Sequence, residues 1–313
     1  MSKYCFGADI GGTTVKLGLF TAEGDMLEKW KIPTRKEDSG SHILPDIVAS
    51  VDEKIAEKNL DRADIIGIGM CVPGPVDENG TVFKAVNLGW GVFNVIDKMK
   101  EYTDFPVEVA NDANVAALGE MWKGSGSNNM VMVTLGTGIG GGVIINGKIV
   151  SGYNGAGGEI GHLHIDDNEE EVCGCGNKGC LEQYGSATGI ARLANRRLAK
   201  DDKPSVLRNH ESLDAEIIFN AVKAKDEVAM EVAEEFGRIL GKGLAVIACV
   251  VNPEVFVSGG GVSAAGTIVI DYIDKYFKEY VFHGASETRF SLAGLKNDAG
   301  VCGAAKLIID KAN

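Results

Sequence analysis

The chain has 313 residues, of which 45% are hydrophobic and 24% charged, and a formal net charge of −13 at pH 7. Two buried cores fit that length and apolar content, while the acidic balance opposes nucleic acid or an acidic membrane as partner, since both need a basic face. The N-terminus Met-Ser-Lys-Tyr-Cys-Phe lacks a signal peptide's apolar core and no apolar run approaches the ~18 residues of a membrane span, so the expected location is the cytoplasm.

Apolar segments flank Gly11-Gly12 from Tyr4 to Ala8 and from Val15 to Phe20, and Val15, Leu17 and Leu19 alternate. The pattern predicts strand, glycine turn, strand, not a glycine loop opening a helix. Gly11 and Gly12 admit close approach by a ligand, and Thr13 and Thr14 add hydroxyls beside backbone N–H groups, a combination suited to a phosphate chain. Asp9 stands where a carboxylate would hold Mg²⁺, directly or through water. An ordinary Gly-Gly hairpin is the alternative. Ile47, Val51 and Ile55, four apart, predict an amphipathic helix over 43–59, with Pro45 near its start. Strands are predicted at Ile65–Met70 and Val107–Ala110.

Asn111-Asp112 then falls at a strand-to-helix junction, where Asn and Asp are preferred caps. The same place suits a carboxylate that orients a substrate hydroxyl and accepts its proton; a helix N-terminus favours the ionised form, and a loose phosphoryl-transfer transition state releases the proton late. Both readings stand. Met130–Leu135, Gly136-Thr137-Gly138-Ile139-Gly140-Gly141-Gly142 and Val143-Ile144-Ile145 repeat strand, glycine turn and strand, which implies two related lobes gripping one polyphosphate. Gly136-x-Gly138-x-x-Gly141 matches the dinucleotide fingerprint, but β-branched residues follow where a helix must open. The run from Gly142 to Lys148 approaches P-loop spacing, yet Ile149 replaces the required Ser or Thr, and Asn146-Gly147 reads as a hairpin turn.

Cys173, Cys175 and Cys180 lie in an acidic, glycine-rich stretch with His162 and His164 just before it. Three thiolates and one imidazole form a tetrahedral structural zinc shell; spacing leaves the choice of histidine open, and a disulfide is the alternative that a cytosolic chain disfavours. Glu159 and Glu182 flank this loop, either as solvated charges or as acceptors for a polyol. A long helix is predicted over Val228–Val250, with Val232, Phe236, Leu240, Leu244 and Ile247 on one stripe, Glu234 pairing with Arg238, and Pro253 as terminator. Val255-Phe256-Val257 leads into a third glycine turn, Gly259-Gly260-Gly261, fit for an adenosine against the backbone or for a plain strand-to-helix connection, with a helix expected from Val262. Cys5, Cys71, Cys249 and Cys302 sit in apolar sequence and are expected in the core.

Asp9-Ile-Gly-Gly-Thr13, Pro73-Gly74, Asn87-Leu-Gly-Trp90, Asn111-Asp112, Leu135 to Gly142, Gly158-Glu159-Ile-Gly-His162, Cys173 to Glu182 and Ala299 to Ala305 together resemble the ROK family of sugar kinases and repressors, within the actin-like superfamily. The resemblance implies an α/β, two-lobed actin-like ATPase/sugar kinase fold. It implies a cleft between a smaller N-terminal domain, 1–110 completed by a helix at 299–313, and a larger one at 111–298 holding the zinc loop 162–182. It further implies Asp112 as catalytic base; Gly74, Asn87, Asn111, Asp112, Glu159, His162 and Glu182 around the sugar; and His162, Cys173, Cys175 and Cys180 on zinc. Asp9, Gly11, Gly12, Thr13, Thr14, Gly136, Thr137, Gly138, Gly140, Gly260 and Gly261 are the expected contacts to ATP and Mg²⁺. Some members carry Lys directly after the first turn's threonine; here Thr14 stands there and Lys16 follows. The chain is most similar to ATP-dependent bacterial glucokinases, which implies transfer to the 6-hydroxyl of glucose, with another hexose (fructose, mannose or N-acetylmannosamine) as alternative and a homodimer as the expected assembly. A repressor would need a helix-turn-helix ahead of Asp9, where eight residues stand, and an actin-like ATPase would need neither Asn111-Asp112 nor the zinc loop.

Overall fold

The computed structural model describes residues 3–312. Its first glycine turn is a hairpin: β1 (Tyr4–Ile10) and β2 (Thr14–Thr21) pair antiparallel from Tyr4↔Thr21 to Ile10↔Val15. Gly11 N–H closes it on Thr14 O at 3.1 Å. β3 (Met26–Pro33) continues the meander, and β4 (Ile65–Val72) lies parallel to β1. After a two-stranded ribbon of β5 (Thr81–Val82) and β6 (Phe93–Asn94), β7 (Val107–Asn111) completes the sheet β3-β2-β1-β4-β7.

The second glycine turn joins β8 (Met130–Leu135) to β9 (Ile139–Ile145). With β10 (Lys148–Ile149), β11 (Val255–Gly259) and β12 (Arg289–Leu292) these form the sheet β10-β9-β8-β11-β12. Both sheets follow one plan, in which the first strand of a three-stranded meander starts a parallel set, β1, β4, β7 in one and β8, β11, β12 in the other. Val143-Ile144-Ile145 continues as β9, so neither nucleotide-fingerprint look-alike opens a helix, and Asn146 (φ 52°) and Gly147 (φ 76°) make the left-handed turn into β10.

Two compact units result. One runs to Asn128 and adds Gly142–Gly158 and the segment from Leu295 onward; the other comprises Asn129–Gly141 and Glu159–Gly294. The resemblance implies a smaller N-terminal domain of 1–110 completed by 299–313; the C-terminal Ala299–Ala312 helix does join this unit, but the Asp112–Lys123 helix packs on it and belongs there too, and the unit holding the N-terminus is the larger. The two helices approach backbone to backbone: a Cβ on Gly119 would lie 2.2 Å from Ala299 O, and one on Gly303 1.8 Å from Val115 O. Glu120, wholly buried, accepts from Leu295 N at 2.7 Å and from Ser125 N at 2.9 Å, which satisfies its carboxylate where the chain returns.

The Ile43–Glu57 helix buries Ile47, Val51 and Ile55 against Phe6, Leu17 and Ile68 of the first core. In the second unit Phe219 meets Phe236 edge-on at 5.7 Å, and Phe256 meets Phe277 at 5.8 Å. The long helix runs Glu227–Val251 and ends on left-handed Asn252 before Pro253. Three local expectations fail. Arg238 forks onto Glu235 instead of Glu234, because Lys275 from the Thr267–Tyr280 helix takes Glu234 at 2.7 Å. Cys249 is exposed, on the outer face with Lys242 and Val246, whereas Cys5, Cys71 and Cys302 are buried. Val262–Ala265 forms only a 3-10 turn, since Gly266 (φ 93°) interrupts the chain before the helix starts at Thr267.

Candidate active site

In the first unit, the strand-to-helix junction bears out the cap reading of Asn111-Asp112. Asn111 is the N-cap: its Oδ1 accepts from Ala113 N at 3.0 Å and Asn114 N at 3.1 Å. Its Nδ2 donates to Gly74 O at 3.0 Å and to Asp112 Oδ1 at 3.1 Å. Asp112, one residue on, is exposed, and its Oδ1 also accepts from Ala113 N at 2.8 Å. The cap therefore orients the carboxylate beside it. Gly74 holds φ +95°, and a Cβ there would lie 2.3 Å from Lys84 O, so the Pro73-Gly74 turn needs its glycine.

The Asp9 turn belongs to the same unit. Thr34 pins it by donating Oγ1–H to Gly11 O at 2.7 Å and N–H to Thr13 O at 3.0 Å. Gly12 faces Asn87, whose carbonyl oxygen would lie 3.5 Å from a Cβ on that glycine. Asp9 is engaged on both oxygens: Lys16 Nζ lies 2.9 Å from Oδ2, and the Cys71 thiol donates to Oδ1 across 3.3 Å. Burial pushes the Cys71 thiol well up, with the negative charges of Asp9 and Asp112 adding to it, so it remains a proton donor. Asp9 and Lys16 are cross-strand partners, a pair readable from the hairpin register. Thr34 and Cys71 carry no local sequence signal, and Gly300, which abuts Asp9, lies in the Ala299–Ala305 run with nothing local to link it to that carboxylate.

In the second unit, the Gly136-Thr137-Gly138 turn closes with Gly136 N donating to Gly138 O at 3.0 Å, and Gly140 lies within β9. The start of the Ala187–Leu198 helix holds the turn from behind: Ala187 N donates to Gly136 O and Thr188 Oγ1 to Thr137 O, each at 2.8 Å. At Gly260 (φ +85°) a Cβ would lie 2.5 Å from Leu135 O, at the end of β8; Gly261 has open space. Glu182 Oε2 accepts from Ile139 N at 3.3 Å, and a cavity of about 420 Å³ opens here, walled by Thr137, Gly138, Glu182 and Arg192.

His162, Cys173, Cys175 and Cys180 bring one ligand atom each within 4.8 Å of the others. Tetrahedral zinc with bonds near ~2.3 Å to sulfur and ~2.1 Å to nitrogen separates its ligands by roughly 3.6–3.8 Å. Cys175 and Cys180 Sγ stand 3.6 Å apart, and Cys173 Sγ lies 3.8 Å from His162 Nδ1, so the donor set fits that ion. His164 is engaged elsewhere, with Nδ1 on Lys178 O at 2.9 Å and Nε2 on Asp167 at 2.8 Å. The geometry thus selects His162 where spacing could not. Its Nδ1 faces the thiols and lies 3.6 Å from Glu182, while Nε2 lies 3.9 Å from Glu159. Imidazole and both carboxylates form one polar surface.

The ROK family model matches residues 5–311. A glucokinase from Halalkalibacterium halodurans is 40% identical over 318 aligned positions, covering 99% of this chain and 96% of that protein. Among solved structures, a ROK hexokinase from Thermus thermophilus is 30% identical, with TM-score 0.81 and 96% of each chain covered. A ROK family glucokinase from Streptomyces griseus, solved with glucose and AMPPNP, is 32% identical, with TM-score 0.71, 97% of this chain and 98% of that one covered. These matches bear out the resemblance read from the motifs: the chain belongs to the ROK family.

Proposed function

We propose that this protein transfers the γ-phosphoryl group of ATP to the 6-hydroxyl of glucose. The observation that carries the reading is the Asp112 carboxylate, fixed at a helix N-terminus by the Asn111 amide and Ala113 N–H, in a chain 40% identical to a glucokinase. On the first unit, Asp112 orients the hydroxyl and takes its proton as the new O–P bond forms and the bond from phosphorus to the ADP oxygen breaks. Asn111, Gly74 and Asn87 are the proposed sugar contacts beside it. On the second unit, Glu159, His162 and Glu182 accept from and donate to the sugar's other hydroxyls.

The turns at 11–14 and 136–140, with Gly260 and Gly261, are the proposed nucleotide contacts. Asp9 is the proposed Mg²⁺ carboxylate; the ion, when bound, spreads charge on the phosphates. Zinc on His162, Cys173, Cys175 and Cys180 is structural: coordination through Nδ1 leaves Nε2 a fixed donor. A cytoplasmic homodimer, which rests on the family resemblance, completes the reading; the net charge of −13 opposes a nucleic-acid or acidic-membrane partner, and no helix among the described residues is long and apolar enough to cross a membrane. Light scattering tests the dimer.

ADP release measured across glucose, mannose, fructose and N-acetylated amino sugars tests the activity. Glucose is expected to give the highest kcat/KM, and ADP release without sugar to be negligible; a different best sugar would redirect the substrate assignment. Asp112→Asn is expected to lower turnover at least ~10²-fold. Near-normal turnover in that variant removes Asp112 from the mechanism.

A further inference from the structure

Beside the thiol cluster, the acidic stretch 166–171 buries one carboxylate. The Glu169 side chain is 1% exposed, while Asp167, Asn168 and Glu170 face solvent. A buried charge persists only when paired and hydrogen-bonded, and Glu169 meets that condition. Oε1 accepts from Arg196 Nη2 at 2.9 Å and Glu171 N at 3.0 Å; Oε2 accepts from Arg192 Nη2 at 2.8 Å and Arg196 Nη1 at 3.0 Å, with the Tyr184 hydroxyl at 2.7 Å.

This cluster reaches both sides of Glu182. Arg192 Nη2 also donates to Gln183 O at 2.7 Å. The Gln183 side chain donates Nε2–H to Glu171 O and accepts from Cys180 N, each at 3.0 Å. Tyr184, two residues beyond Glu182, shares its hydroxyl between Glu169 and Asp166, and its ring lies 5.1 Å from the Arg192 guanidinium. The thiols therefore hold the chain before Glu182 at Cys180, and the ion cluster holds it after Glu182 at Gln183 and Tyr184.

We propose that Glu169, acting through Arg192 and Gln183, is a positioning residue for Glu182 and so sets affinity for the sugar. The inference rests on the hexose-kinase reading, which gives Glu182 its ligand. Glutamine at 169 keeps the shape but removes the charge and turns an amide nitrogen toward groups that all donate, so Arg192 loses its buried anchor and keeps the exposed Glu171, 3.2 Å from Nη1.

The test is Glu169→Gln in the full-length, zinc-loaded protein. Glucose KM is expected to rise about 10-fold, with kcat and ATP KM within about 3-fold and zinc content unchanged. In a Glu182→Gln background, Glu169→Gln should raise glucose KM no further, because the two act on one contact. Amide hydrogen exchange over 180–185 should quicken in the single variant whether or not sugar is turned over. Unchanged glucose KM in a folded variant, additive effects in the double variant, or unchanged exchange would each overturn the proposal. Should Glu169→Gln fail to fold, Arg192→Lys, which keeps the cation but loses the fork, carries the same expected rise. Absence of hexose phosphorylation by the unmodified protein would sink the kinase reading, and the exchange experiment would still decide the clamp.

Discussion

Gly300 shows how one missing side chain supports a carboxylate. A Cβ at this position would lie 2.8 Å from Asp9 Cγ and 2.9 Å from Oδ2. The clash is with the end of a short side chain, not with backbone, so Gly300→Ala is relieved by rotating Asp9 away from Lys16 and Cys71 while the fold survives. Alanine also favours the helix by roughly 0.5–1 kcal/mol over glycine, which offsets part of the strain. Thermal scans are expected to show a Tm within about 5 °C of the parent, and kinetics to show an ATP KM raised about 10-fold, glucose KM staying near its parent value. An unchanged ATP KM would detach Asp9 from the nucleotide site. Of this cluster, Asp9 was legible in the sequence as a carboxylate beside the turn, and the hairpin register then sets Lys16 opposite it. Cys71 was not, since 62 positions separate it from Asp9 and only the parallel pairing of β1 with β4 brings them together.

At the scale of elements, the first two glycine turns were legible because strand periodicity continues on both sides of each. The Asp112–Lys123 helix was legible from its cap. Ion pairing was less so: Glu234 and Arg238 have the right spacing, but partners from a neighbouring helix and a better fork geometry one residue away decide the outcome. The thiol loop was legible as a candidate ligand set; spacing left its histidine open, the family resemblance named His162, and the fold brings that ring to the thiols. Residues 172–180 form no helix or strand: their backbone is held by the isolated bridges Val172↔Lys178 and His164↔Cys180 and by turn bonds such as Cys173 N to Asn177 O at 2.7 Å and Gly176 N to Cys173 O at 2.8 Å. A loop without regular structure would gain order from the proposed zinc. One zinc per chain is expected by elemental analysis, and its removal by chelator should lower Tm by at least ~5 °C and raise glucose KM while leaving ATP KM near its original value. An unchanged melting curve with no metal bound would reject the assignment.

For the molecule as a whole, net charge and buried ion pairs pull stability in opposite directions as pH falls. At −13 the native chain repels itself at pH 7, and this relaxes on approach to its pI near 4.9. Against it stand carboxylates held below their ordinary range: Glu169 and Glu171, each first by a hydrogen bond from Arg196, and Glu231, first by Arg197. A carboxylate whose folded pKa is depressed contributes its full stabilisation above the unfolded value, near ~4.3 for Glu, and loses it as pH falls through the folded one. Glu171 and Glu231 are more than a third exposed and largely screened, whereas Glu169 is 1% exposed, so its ion cluster dominates the acid limb. Tm is therefore expected to hold or rise slightly from pH 7 to about 5 and to fall steeply below about 4.3. Added salt should flatten the first limb, which is long-range repulsion, and spare the second, which is a buried contact. Glu169→Gln should melt well below the parent at neutral pH, with the gap closing as acid protonates the parent's carboxylate. A gap that stays constant down to pH ~3 would mean that the variant loses packing and not charge.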